Sequence, residues 1–200
     1  AVAGVITGLF YMMIERQQRD IAVNQAETTA KAIAKQVQAE RSVYAGDVIG
    51  KLKKEGIPIV PQPLSTFRSV EGGVPLPASF VFATSEKVSK GGTHTMDLLS
   101  LWNINPEQGA RTAFETEALK FVAANPDKVM GQVAGEGHEA RYYQVTADVA
   151  SAESCVECHN NHPKSPKHDF VLGDVMGGIV VSLPIGQAFT TAKLNAITST

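Results

Sequence analysis

Cysteine is nearly absent from this chain of 200 residues: Cys155 and Cys158 are its whole supply. Two cysteines three apart cannot build a disulfide framework. They are a redox pair, metal ligands or attachment points for a bound group. Basic clusters are missing as well. Eighteen Lys and Arg stand against twenty Asp and Glu, for a net charge of −2, and no basic run is interleaved with aromatics. That excludes nucleic acid as a partner. Internal repeats and low-complexity blocks are also lacking. The first fourteen residues, AVAGVITGLFYMMI, carry no charge, but they fall short of the roughly 20 apolar residues of a bilayer span. They are expected to be the outer half of an N-terminal membrane anchor; a buried terminal helix or an export signal are the alternatives. Gly4 and Gly8 in this stretch make a G-x-x-x-G, a weak signal for close helix packing.

What is present is the composition of a folded domain, 44% hydrophobic and 19% charged, with enough chain for one core and a long helix. From residue 15 to residue 56 the pattern is helical. Ala26, Ala30, Ile33, Val37, Tyr44, Val48 and Leu52 recur at steps of three, four or seven and draw one apolar stripe. Gly56 and Pro58 end it. The stretch 57–79 contains five prolines and a Gly-Gly pair, which predicts an irregular connection. SFVFATSEKVSK starts as a helix or strand, and GGTHTMDLLS reads as a strand after a turn. RTAFETEALKFVAANPD is an amphipathic helix stopped at Asn125-Pro126. VMGQVAG and RYYQVTADV, joined by EGHEA, form a hairpin, and GDVMGGIVVSLPI is the strongest strand pattern. The expected fold is α+β: a PAS-like antiparallel sheet with flanking helices, preceded by a long N-terminal helix. Residues 188–200 read as a C-terminal helix or linker.

The chemistry is concentrated in SCVECHNNHP. C-x-x-C-H is the attachment signature of c-type haem. Each thiol adds to one vinyl group of the porphyrin, and the histidine that follows, His159, is placed under the iron as proximal ligand. Two other readings stand beside it. Cys155, Cys158, His162 and His168 have the spacing of a Cys2His2 zinc site, which leaves His159 without a role. A C-x-x-C thiol/disulfide pair is the other, without the βαβ unit that usually accompanies one. Covalent haem attachment takes place outside the cytoplasm. The motif and the apolar N-terminus together therefore predict an extracytoplasmic or periplasmic domain tethered to the membrane.

The run RYYQVTADVASAESCVECHNNHPKSPKHDFVLGDVMGGIVVSLPI, with LLSLWNINPEQGARTAFETEAL before it, resembles the Tll0287-like family of c-type haem domains. The resemblance covers roughly residues 40–187, and its most specific part is Cys155–Pro163 with SPKHDFVLGDV. It implies a PAS-like haem domain over 57–187 carrying one covalent haem c, held by Cys155 and Cys158 and ligated by His159. It also implies sensing or redox signalling rather than catalysis. In one respect the chain departs from the family pattern: Met176 stands where a basic residue is expected, so the propionate contact implied by that residue is not carried over.

For the other face of the iron the candidates are Met96, His94, Met176, Met130 and His138, with an open or water-bound iron as a further outcome. Met96 comes first and His94 second, because both lie on one side of the same strand. Trp102, Tyr142, Tyr143 and Phe170 are candidates for packing on the porphyrin, and Arg141 and Lys167 for its propionates. Two functions follow: a signal-input module, or a single-electron-transfer cytochrome beside a membrane complex. Partners are expected accordingly: the membrane through the N-terminal helix, a second copy through the stalk helix, and a signalling domain or a redox protein. An enzymatic role such as a peroxidase would need a distal acid/base set, and the sequence offers none.

Overall fold

The computed structural model describes residues 2–60 and 70–191. Most of the expected C-terminal helix, at 192–200, lies outside them, and so do nine residues of the proline-rich connection, 61–69. The first helix, α1, runs from Val2 to Val43. No proline or glycine interrupts it after Gly8, and Ala, Gln, Glu and Arg favour it throughout. It does not stop there. The chain winds on as a π-helical segment, Tyr44–Ile49, and then as a short α2, Gly50–Lys54.

After a two-strand parallel pair, β1 (Ile59–Val60) with β2 (Val74–Pro75), come α3 (Pro77–Lys90) and β3 (Thr95–Leu99). Next are α4 (Ala113–Ala124), β4 (Val129–Ala134) and β5 (Arg141–Val149). Then follow α5 (Glu153–Asn161) and β6 (Val175–Pro184), and residues 186–191 are helical again. The four longer strands form one antiparallel sheet in the order β3-β6-β5-β4. The class is α+β, with a layout compatible with a PAS-like domain. SFVFATSEKVSK, ambiguous in sequence, is helical because Pro77 opens it at a position where the missing N–H costs nothing. At α4 a capping box fixes the start: the Thr112 hydroxyl accepts from the Glu115 amide, and the Glu115 carboxylate accepts from the Thr112 amide.

Each sheet face is covered by a different helix. On one, Ala22, Ala26, Ala30, Ala34 and Val37 of α1 pack with Val81, Leu98, Tyr142, Ile179 and Val181. Ala30 and Ala34 are fully buried; small side chains at steps of four let the helix axis lie close to the strands. The part of α1 from Ala22 onward is thus core, not an appendage to the domain. On the other face, Leu119, Ala118 and Val122 of α4 pack with Leu99, Val145, Ala147 and Val180. Gly178 permits this contact, since a Cβ there would stand 2.8 Å from Leu119 Cδ2 and 2.7 Å from Val145 Cγ1.

The expected stripe along the first helix is right as far as Val37 and then changes. Ala45 and Ile49 are buried, while Val48 is exposed. A π-helical turn holds more residues than an α-turn, so full burial passes to Ala45 and Ile49, while Tyr44 stays half-buried, stacked on Phe80 with its hydroxyl donating to the Pro75 carbonyl. Among the described residues, no helix is long and apolar enough to cross a membrane.

Candidate functional site

Between β5 and β6 the chain leaves the sheet as α5 and returns through a polar loop. Helical geometry decides what α5 can do. Cys155 and Cys158 are three apart and Cys155 and His159 four apart, so the two thiols and the imidazole share one side. Both cysteines are free thiols and half-buried. Burial pushes the Cys158 thiol up, against the opposing pull of Lys53 and with further push from Cys155 and Glu157. A protonated, half-buried thiol is the reverse of the depressed thiolate that a redox C-x-x-C employs.

Burial, followed by the positive charge of Arg41 and by His162, pushes the His159 imidazole below its ordinary range. The ring is therefore neutral near pH 7, which is the ligating form. Its Nδ1 is buried without a hydrogen-bond partner. An orphaned buried polar atom costs about 1–3 kcal/mol, so this nitrogen is a group with bonding capacity to spare.

A third apolar cluster surrounds the motif: Ala150, Phe170 and Met176, with Trp102, Cys155 and Val156 against them. Phe170 is its centre. Its ring meets His159 edge to face at 5.8 Å, and Trp102 in the same manner at 5.8 Å. Asn160 clamps it in place. The Asn160 amide donates to the Phe170 carbonyl at 2.9 Å and its carbonyl accepts from the Phe170 amide at 3.0 Å. His168 Nδ1 lies 2.8 Å from the Asn160 backbone carbonyl. His162 Nδ1 accepts from the Lys164 amide. These bonds tie the polar loop back onto α5, and they engage His162 and His168 locally. Among the described residues, no group of three or more His, Cys, Asp or Glu is arranged to hold a metal ion, so the zinc arrangement is not assembled. The next residues in the chain, Val171 and Leu172, are 61% and 55% exposed, an apolar pair left uncovered beside the cluster.

The helix α5 is seated on the first helix. Ser154 Oγ donates to the Ala45 carbonyl in the π-helical segment, and Lys53 of α2 pairs with Glu157 at 3.5 Å. Arg41, one turn before Ala45, makes an ion pair with Asp148 at the end of β5. Asn160, Arg41 and the π-helical contact are site features that the sequence reading missed. Asn160 follows the motif directly; Arg41 has no local signal, since its partner is 107 residues away.

Several expected residues lie elsewhere. Met96 packs in the α1-covered cluster with Leu98 and Val81, three residues up β3 from the end nearest the motif, a displacement of about 10 Å. His94 precedes that strand and sits beside Thr93, with its pKa pushed down by burial. Neither is brought to His159. Alternation told which residues share a face, but not at which end of the sheet they lie. Tyr142 is likewise in the α1-covered cluster, its hydroxyl on Gln144, and not beside Cys155. Tyr143 pairs with Ser182, and Arg141 donates to Ser182 and pairs with Pro184, at the opposite end of the strand from the motif. Met130 packs against α4, and His138 is in a turn near Thr190. Those the structure does bring together are Cys155, Trp102, Phe170 and Met176, with Lys167 at 4.6 Å over the Phe170 ring. Such an arrangement can hold a flat apolar group through two thioether links while offering it one neutral imidazole nitrogen.

Among curated proteins none matches this chain. Among solved structures it is similar to the crystal structure of the cyanobacterial haem protein Tll0287, at 18% identity and a TM-score of 0.46, over 78% of this chain and 91% of that one. The model of the Tll0287-like family matches residues 16–184, a span that starts inside α1 and takes in the whole sheet and the motif. The chain belongs to the Tll0287-like family.

Proposed function

We propose that this protein is a c-type haem domain that carries one haem, held covalently by Cys155 and Cys158 and ligated by His159. The residues fit that group on three counts. Both thiols and the imidazole share one side of α5; His159 is kept neutral with Nδ1 buried and unpartnered; and Phe170, Trp102 and Met176 supply an apolar wall. Of the candidates for the second axial position, Met176 is the one in the same cluster as Cys155. When bound, haem supplies reversible one-electron chemistry and, with an open face, a site for a diatomic gas. Phe170 and Asn160 orient the His159 ring, and the apolar cluster keeps water from it.

The same reading makes the domain the input of a signalling protein on the outer side of a membrane, tethered through the apolar start of α1, with no catalytic role. The observation that supports it is the seating of the motif helix on the π-helical segment of the first helix, through Ser154–Ala45 and Lys53–Glu157. A change at α5 bears directly on that helix, and through it on a second copy or a signalling domain. Single-electron transfer to a membrane-associated partner is the second reading. It is favoured by the surface position of α5, where Glu157 and Asn161 are exposed.

An absorption spectrum of protein made with the haem-attachment machinery, oxidised and reduced, tests the first claim: bands that survive denaturation are expected, and their absence ends the haem reading. Carbon monoxide added to the reduced protein then separates the functions. A prompt spectral shift supports gas sensing, and an unchanged spectrum supports electron transfer or a purely redox signal.

A further inference from the structure

Arg41 is the buried cation of the motif end. Its side chain is 14% exposed and that of its partner Asp148 is 11% exposed. The other cations bordering the motif lie nearer solvent: Lys53 is 44% exposed and paired with Glu157, and Lys167 is 24% exposed and paired with Asp169. A guanidinium has five N–H groups in a planar fork suited to carboxylates. One terminal nitrogen of Arg41 donates to Asp148 Oδ1, while Nε is buried with no partner. The fork is thus half used. Arg41 stands one helical turn before Ala45, whose carbonyl accepts from Ser154, the residue beside Cys155, and its charge is felt at His159. Asp148 stands two residues before Ala150 of the motif cluster. A buried guanidinium with donors to spare has room for a second acceptor, a carboxylate being the best match to its fork, and the aromatic and apolar cluster at the motif contains none.

We infer that Arg41 is an anion-binding residue of this site and takes a carboxylate, namely a propionate of the haem that Cys155 and Cys158 hold. The inference rests on the haem reading above. Asp148 acts as a positioning residue, fixing one edge of the guanidinium and leaving the Nε edge for the propionate. Neither residue belongs to the C-x-x-C-H motif, and they stand 107 residues apart in the chain.

The experiment uses the full chain loaded with haem, as wild type and as Arg41→Gln, Arg41→Lys, Asp148→Asn and the double variant Arg41→Gln/Asp148→Asn. Covalent haem is read after denaturation, the propionate bending band by resonance Raman, and the midpoint potential by titration. Arg41→Gln is expected to shift the propionate band and to lower the midpoint potential, because a nearby cation favours the reduced iron. Arg41→Lys keeps the charge and loses the fork, so the band shifts while the potential stays near that of wild type. Asp148→Asn leaves the Arg41 charge unshared and raises the potential. The double variant guards against misfolding from a lone buried Asp148, and it should show the same band shift as Arg41→Gln. An unchanged band in both Arg41→Gln and the double variant overturns the inference. Sodium acetate identifies the source of the carboxylate: a spectral shift on adding it to wild type, absent in Arg41→Gln, means that Arg41 takes its anion from solution, which overturns the propionate assignment. Absence of covalent haem from the wild type defeats the haem reading itself, a result distinct from either.

Discussion

The α1-covered face of the sheet and the motif end are built on different plans. On the face, Ala30, Ala34, Ile179 and Val181 are at zero exposure and touch one another, and contact alone accounts for their burial. At the motif end the buried apolar cluster is no larger than Ala150, Phe170 and Met176. Two of the three orphaned buried side-chain atoms among the described residues, Arg41 Nε and His159 Nδ1, belong to this end; the third, Ser79 Oγ, is in α3. Two free, half-buried thiols and exposed Val171 and Leu172 complete the contrast. The difference teaches that apolar burial is finished on the face and unfinished at the motif, where a bound group is the missing neighbour.

The largest test of that contrast removes the attachment points. Cys155→Ala/Cys158→Ala should lose all haem that survives denaturation, while circular dichroism still reports the sheet and helices; loss of both would mean that the face does not stand alone. Next come two buried side chains. Leu119→Ala should cost about 2–5 kcal/mol in urea unfolding, equally with and without haem. Phe170→Ala should cost more in the loaded protein than in the haem-free one, and equal losses would make the motif end as self-sufficient as the face. A smaller effect is expected of Asn160→Ala, which removes both bonds to Phe170. It should cost about 1–3 kcal/mol and broaden the spectroscopic signature of the His159 ligand. The smallest is read in alkali and belongs to the face. Burial, with help from the Glu27 charge, pushes Tyr142 up to about 12. The folded state then keeps a proton that the unfolded chain releases near pH 10, so stability should fall as pH rises through the range between those values. Urea midpoints at about pH 9 and about pH 11 will show this slope, and Tyr142→Phe should reduce it.

Much of this molecule was legible before the fold was known. The hairpin of β4 and β5 and the strand β6 follow from alternation around Gly-rich turns, and α4 from its apolar spacing and the Asn125-Pro126 stop. The C-x-x-C-H motif singles out Cys155, Cys158 and His159 because the spacing of an attachment motif is local and needs no tertiary context, and the structure sets all three on one helix. What could not be read depends on distant partners. Arg41 has the look of a solvated charge on an amphipathic helix until Asp148 arrives from β5. Met96 and Tyr142 belong to apolar alternations that say which face a residue joins, not which cluster. The π-helical segment was hidden for a related reason. Only the docking of α5 shows why Ala45 and Ile49 are buried and Val48 is exposed.

That segment has one more consequence. Successive residues of an α-helix are separated by about 100° around its axis. Were the Tyr44–Ile49 stretch to rewind as ordinary α-helix while Ala22 to Val37 kept their place on the sheet, the short α2 after it would swivel by about that angle for each residue absorbed. Lys53 would then be carried away from Glu157 of α5, with no change in the conformation of α1 itself. Paired spin labels at residues 9 and 51, in oxidised and reduced protein, would report such a torsional stroke as a change of distance, and identical distances would leave the helix a rigid strut.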